Sequence, residues 1–166
     1  MKATKQSLVR KRLKIASLSL AMVITYADTL MKRYTSQIGM CCRYIEHIMN
    51  TSTEIQNKYG CLVNGFVADL TNPIDIKNMI QAVIESTKRI DILVINNGTP
   101  NPRSFSKCDI QDWLEGINIC LKSTIYLCQE TLPIMKKNGF GIIMTSIFAK
   151  EPDPNFVISS VLRLSP

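Results

Sequence analysis

Three polar residues directly follow or close apolar runs of strand length: Asp69 after 62–68, Asn96 after 92–95, and Ser146 at the end of 141–146. A residue at the carboxyl end of a strand is fixed by the sheet yet faces out of it, which is where open α/β sheets place their binding groups. A carboxylate at Asp69 can accept a hydrogen bond from an amine, and Leu70 beside it offers an apolar surface to a flat ring. The Asn96–Gly98 stretch lets backbone come close to a bound molecule. A hydroxyl at Ser146 can polarise a carbonyl. Each residue also has a plainer reading. Asp69 can cap a helix starting at Pro73, a task that Thr71 or Asn72 could take instead, and Asn96 and Gly98 can serve ordinary turn chemistry.

The elements needed to hold these groups alternate in type. Strands are expected at 13–18, 37–42, 62–68, 92–95 and 141–146. Between them lie segments of helical period: one reaching about Tyr34, one over 45–59 with Gly60 just past its end, and one from Pro73 to about Lys88. A long helix is expected from a cap at Asp109 through Lys137, bent near Pro133 and followed by Gly139, and a last helix begins near Asn155 or Phe156. Strand–helix alternation is the mark of a parallel sheet covered by helices on both faces. The expected architecture is therefore α/β, a Rossmann-type doubly wound parallel sheet truncated after about five strands.

Bulk properties agree with one globular domain. The chain has 166 residues, 46% hydrophobic and 20% charged, which argues against disorder. Its net charge of +7 is concentrated at the start, where Lys2, Lys5, Arg10, Lys11, Arg12 and Lys14 precede the first acid, Asp28. Residues 1–12 thus read as a solvated basic arm rather than as a nucleic-acid-binding stripe on a folded face. The arm and the apolar run 15–24 also have the layout of a secretory signal, but the run is too short to span a bilayer. The six cysteines form no CxxC pair and sit in apolar runs, as small buried hydrophobes do in a reducing cytoplasm, and the lone His47 has no partners for a zinc site.

The stretch Asp91-Ile-Leu-Val-Ile-Asn-Asn-Gly-Thr-Pro100 resembles the NNAG segment that ends the fourth strand of short-chain dehydrogenases/reductases. Asp69-Leu70 falls where that family sets an Asp against the adenine amino group. Residues 112–135 resemble its long fifth helix, and 141–146 resembles the strand that ends in its catalytic serine. The resemblance covers about 13–165 in the family's order. It implies that Arg43, Asp69, Leu70, Asn96 and Gly98 bind a dinucleotide. Arg43 directly follows the second strand, where a basic residue accommodates the 2′-phosphate of NADP and an acid would favour NAD; the plainer reading is a solvated arginine. Residues 13–166 then form an incomplete NAD(P)-binding Rossmann-like domain. A homo-oligomer built through the 111–137 helix is a further expectation, with neither nucleic acid nor membrane as partner.

The pattern also departs from the family. Its TGxxxGxG turn is replaced by Ala16-Ser-Leu-Ser-Leu-Ala-Met-Val-Ile24, with Ala21 and Val23 standing for the last two glycines. Of the family's Ser, Tyr and Lys, Ser146 matches the first. Ser159 stands where Tyr is expected and Arg163 where Lys is expected, while Cys120 occupies the place of the family's helix Asn. A serine hydroxyl is far less acidic than a phenol of pKa about 10, and a guanidinium keeps its proton. The resemblance implies a hydride-transferring oxidoreductase acting on a small carbonyl or alcohol with NADP, or with NAD, and with Ser146, Ser159 and Arg163 as its catalytic set. The departures imply instead an inactive fragment or a non-enzymatic binding module.

Overall fold

The computed structural model describes residues 13–17, 35–145 and 154–163. Five strands, β1 (Leu13–Ser17), β2 (Thr35–Cys42), β3 (Leu62–Val67), β4 (Ile92–Ile95) and β5 (Ile142–Thr145), form one sheet. Every pairing is parallel, and the order is β3-β2-β1-β4-β5. From β1 the chain works outward through β2 to β3, then returns to the other side of β1 for β4 and β5. The order reverses between β1 and β4, the point where such sheets open a crevice at their carboxyl ends.

Helices cover both faces. Helix α1 (Ile45–Tyr59) buries Ile48, Thr51 and Ile55, a stripe at helical spacing. It ends at Gly60, whose φ of 64° lets its N–H reach Gln56 O at 2.9 Å. Helix α2 (Pro73–Thr87) buries Ile76, Met79, Ile80, Val83 and Thr87 and ends at Lys88 in the left-handed region. Strand β2 splits its residues between the two faces. Ile38 and Met40 pack with Ile48 and Ile55 of α1, while Cys41 packs with Met79, Ile80 and Val83 of α2. Gly39 points the same way as Cys41, and a Cβ there would lie 3.0 Å from Val83 Cγ2. Strand β4 is buried along its whole length, as the continuous apolar run 92–95 requires of a central strand. Just before it, the fully buried Asp91 accepts from Arg89 Nε at 2.9 Å, and its own carbonyl accepts from Ile142 N at 2.9 Å. That pairing locks the start of β4 to β5.

Most element boundaries agree with the sequence to within two residues, but the long helix does not run unbroken. It consists of α3 (Ile110–Gly116), a π-turn over Ile117–Lys122, and α4 (Ser123–Asn138), which contains Pro133. Asp109 caps its start through a reciprocal capping box with Asp112, and Gly139 closes it at φ 69°. At the interruption Ser123 Oγ donates to Ile119 O, and Thr124 Oγ1 donates to Cys120 O at 2.8 Å. Such bonds compete with the i→i−4 ladder, and a single one is borne without a break at Thr131, which donates to Leu127 O at 2.6 Å. The last element, α5 (Val157–Leu162), begins just after Phe156, which forms a bridge with Arg103. It packs on α3 so tightly that a Cβ on Gly116 would come within 2.3 Å of Ile158 Cγ2. The helix expected to follow β1 lies outside the described residues.

Candidate functional site

At the reversal point the carboxyl ends of β2, β3 and β4 and the π-turn enclose a cavity of ≈ 250 Å³. Cys41, Cys42 and Arg43 come from β2 and the residue after it; Ala68, Asp69, Leu70 and Thr71 follow β3; Asn96, Gly98 and Thr99 follow β4; Ile119 comes from the π-turn. All five residues expected from the sequence to bind a ligand, Arg43, Asp69, Leu70, Asn96 and Gly98, are therefore brought to one space.

Asp69 is held by its own neighbours. Its Oδ1 accepts from Thr71 N at 2.9 Å and from Thr71 Oγ1 at 2.8 Å, while its backbone N–H donates to Asp75 Oδ2 at 3.1 Å. The Thr71 backbone bond is the main reason its carboxyl lies below the usual carboxylate range; partial burial opposes the shift, and the Thr71 hydroxyl and the charge of Arg43 add to it. Asp69 is not the helix cap. Asn72 Oδ1 accepts from Ile74 N at 3.0 Å and takes that role, so Asp69 faces the cavity rim with Oδ2 accepting no bond among the described residues. Arg43 lies 5.9 Å from the centroid of the Tyr44 ring and also lines a second groove with Tyr44, Ile45, Glu46 and His47 at the start of α1. A Cβ on Gly98 would meet Ile119 Cγ2 at 3.5 Å and narrow the cavity.

The β4 side of the cavity is fixed by residues far away in sequence. Asn97 Nδ2 donates to Cys120 O at 3.0 Å and to Thr124 Oγ1 at 2.8 Å. From α5, Arg163 Nη2 donates to Asn97 O at 3.0 Å and to Gly98 O at 3.2 Å. Burial pushes the Cys120 thiol upward against the opposing pull of the Arg163 guanidinium. Neither Asn97 nor the Arg163 contacts were foreseen as a pair, because nothing local marks partners more than sixty residues apart.

The catalytic candidates separate. Ser146 lies outside the described residues, as do Ala21 and Val23 of the altered turn. Ser159 is 1% exposed, with its hydroxyl enclosed and unpartnered among the described residues, and Arg163 is 7% exposed. Among the described residues neither lines the cavity; Arg163 bonds the backbone of its wall. Chemically, the cavity offers an apolar slot between Leu70 and Ile119, an acceptor at Asp69 and a cation at Arg43. That set suits a flat ring bearing an amino group and joined to an anion. Its volume lies just under the range of roughly 300–1,000 Å³ for whole drug-sized ligands, which fits one end of a larger molecule.

Comparisons with known proteins point one way. A family model described as short chain dehydrogenase matches residues 24–158. The peroxisomal multifunctional enzyme type 2 of Drosophila melanogaster is 41% identical over 81 residues, 48% of this chain and 14% of that protein. The 3-oxoacyl-[acyl-carrier-protein] reductase FabG of Buchnera aphidicola is 33% identical over 106 residues, 59% of this chain and 42% of that protein. The chain thus spans less than half the length of these two relatives. L-sorbose reductase from Gluconobacter frateurii, solved with NADPH and L-sorbose, superposes with a TM-score of 0.83 at 20% identity, covering 95% of this chain and 62% of that one.

Proposed function

This chain belongs to the short-chain dehydrogenase family, and on that premise we propose that it binds a nicotinamide dinucleotide at the β2–β3–β4 cavity and serves an oxidoreductase acting on a carbonyl or alcohol. The single observation that carries this reading is the convergence of Arg43, Asp69, Leu70, Asn96 and Gly98 on one cavity at the reversal of strand order. Leu70 and Ile119 would flank the adenine ring, and Asp69 would accept from its amino group. The backbone at Asn96 and Gly98 would approach the ribose. When bound, the nicotinamide supplies or receives the hydride.

We assign the cofactor preference to NADP. Arg43 lines both the main cavity and the groove at the start of α1, where the helix has no side-chain cap and its N–H groups favour an anion. A 2′-phosphate placed there would meet the guanidinium; Glu46, in the first turn, limits the gain. For the chemistry, Ser146 would polarise the substrate carbonyl, with Ser159 and Arg163 at the remaining positions of the family set. A second reading, a dinucleotide-binding module without turnover, is favoured by the enclosed Ser159 hydroxyl and by the commitment of Arg163 to backbone carbonyls. Association of two copies through the 111–137 helix is supported by exposed Leu114, Ile125 and Leu132. A cytoplasmic site is supported by the cysteines, which are free and in part buried among apolar side chains.

Titration of the purified chain with NADPH and NADH, followed by fluorescence and thermal shift, tests the proposal. Saturable binding, tighter for NADPH, with Arg43→Ala weakening NADPH selectively and Asp69→Ala weakening both, is the expected result. No binding at millimolar cofactor overturns it. Turnover of a carbonyl panel above a Ser146→Ala control separates the enzyme from the binding module.

A further inference from the structure

The wall of the cavity formed by Asn97 and Gly98 is held in two ways. Its side-chain hold runs from Asn97 Nδ2 to Cys120 O in the π-turn at 3.0 Å and to Thr124 Oγ1 in α4 at 2.8 Å. Its backbone hold comes from α5, where a single nitrogen of Arg163 donates to two successive carbonyls, Asn97 O at 3.0 Å and Gly98 O at 3.2 Å. These two bonds span 66 and 65 residues, so they tie α5 to the end of β4. Helix α5 is itself anchored. Ile158 and Leu162 pack with Cys120, and Ile158 nests against Gly116. The guanidinium therefore rises from a fixed base. At 7% exposed it has little room to swing toward a ligand.

We propose that Arg163 is a positioning residue of the cavity: it holds the successive peptides 97–98 and 98–99 so that Gly98 and Thr99 keep the shape of the wall, and it acts on a ligand through that wall. The inference rests on the dinucleotide reading for its functional meaning but not for its geometry. Charge-assisted bonds to carbonyls are among the stronger ones in a protein interior, and here one donor group restrains two successive peptides. A lysine at this position would keep the charge but end one atom short, so it should recover the hold only in part.

The test compares the wild type with Arg163→Lys and Arg163→Met, the second keeping the apolar stem without the charge. Backbone nitrogen-15 relaxation of the full chain, free of ligand, is read residue by residue at Gly98 and Thr99, with β3 as reference, and dinucleotide affinity is measured on the same samples. We expect the order parameters at Gly98 and Thr99 to fall from the range of rigid backbone, about 0.85, to below about 0.6 in Arg163→Met. Arg163→Lys should fall between, β3 should be unchanged, and NADPH affinity should weaken in the same order. Unchanged order parameters at Gly98 and Thr99 overturn the proposal, and more so if affinity falls, since the arginine would then act on the ligand directly. Lower order parameters throughout the sheet overturn it as well, because the role would then be general stability. A wild type that binds no dinucleotide defeats the reading of the preceding subsection, and the relaxation comparison still decides the role of Arg163.

Discussion

The two rims of the cavity are built by different means. The β3 rim is stitched within seven residues: Asp69 to Thr71, Asp69 to Asp75, Asn72 to Ile74 and Asp75. The β4 rim is held over long distances in sequence. Asn97 reaches 23 and 27 residues ahead, and Arg163 reaches 65 and 66 residues back. A local turn forms whenever its segment is extended into a helix cap, whereas a long-range clamp exists only once α3, the π-turn and α5 have docked. The β3 rim is therefore the part of the site that survives damage elsewhere, and the β4 rim is the part that reports on tertiary order.

The sharpest way to break this contrast is at the base of the clamp. Gly116→Ala places a Cβ where Ile158 already stands, 2.3 Å away, and should cost about 3 kcal/mol of stability, the upper part of the usual overpacking range. Urea denaturation measures the loss, and the β4 rim should loosen before the β3 rim does. A loss under about 0.5 kcal/mol would show that α5 can move without penalty and that the two rims are equally independent of it. On the local rim, Asn72→Ala removes the cap of α2 and should cost about 1 kcal/mol, the common value for such caps, with no change in backbone order at Gly98.

The smallest effect concerns pH. Because the Asp69 carboxyl is depressed when folded, its contribution to stability is present above its unfolded value, near pH 4, and is lost as pH falls through the lower folded value. Asp69→Asn should lower stability slightly at neutral pH, and the gap to the wild type should close as pH falls below about 4, which flattens the acid limb of the stability curve. Thr71→Ala should raise the Asp69 titration seen by carboxyl NMR only modestly, because the backbone N–H of Thr71 is the larger cause and remains.

The same division explains what could be read from the residues alone. Strands and helices follow from short-range pattern: the run 92–95, the spacing of Ile48 and Ile55, Pro73 after Asn72, and Gly60 and Gly139 past helix ends. The residues that line the cavity are legible because each sits at a strand end. Strand β2 begins two residues earlier than expected, since Thr35 pairs with Leu13 although neither Thr35 nor Ser36 is apolar. The π-turn is not legible, because Ile117–Lys122 keeps the apolar spacing of an ordinary helix and no glycine or proline stands within it. Arg163 was read for its charge, and nothing in its own neighbourhood says that the charge is used on Asn97 and Gly98.

The π-turn also resets the angular bookkeeping of the rod it interrupts. A helix advances about 100° per residue, so taking one extra residue into a turn rotates everything beyond it by that amount. The stretch 110–138 consequently presents two seams rather than one. Ahead of the turn, Trp113, Gly116 and Ile117 are aimed at α5; beyond it, Leu127 and Met135 are aimed at α2 and the sheet. One continuous rod thereby joins the core of the sheet to the clamp on the cavity wall, as a camshaft carries two lobes set at different angles. Deleting a single residue within 117–122 would leave the rod intact but turn one lobe away from its partner.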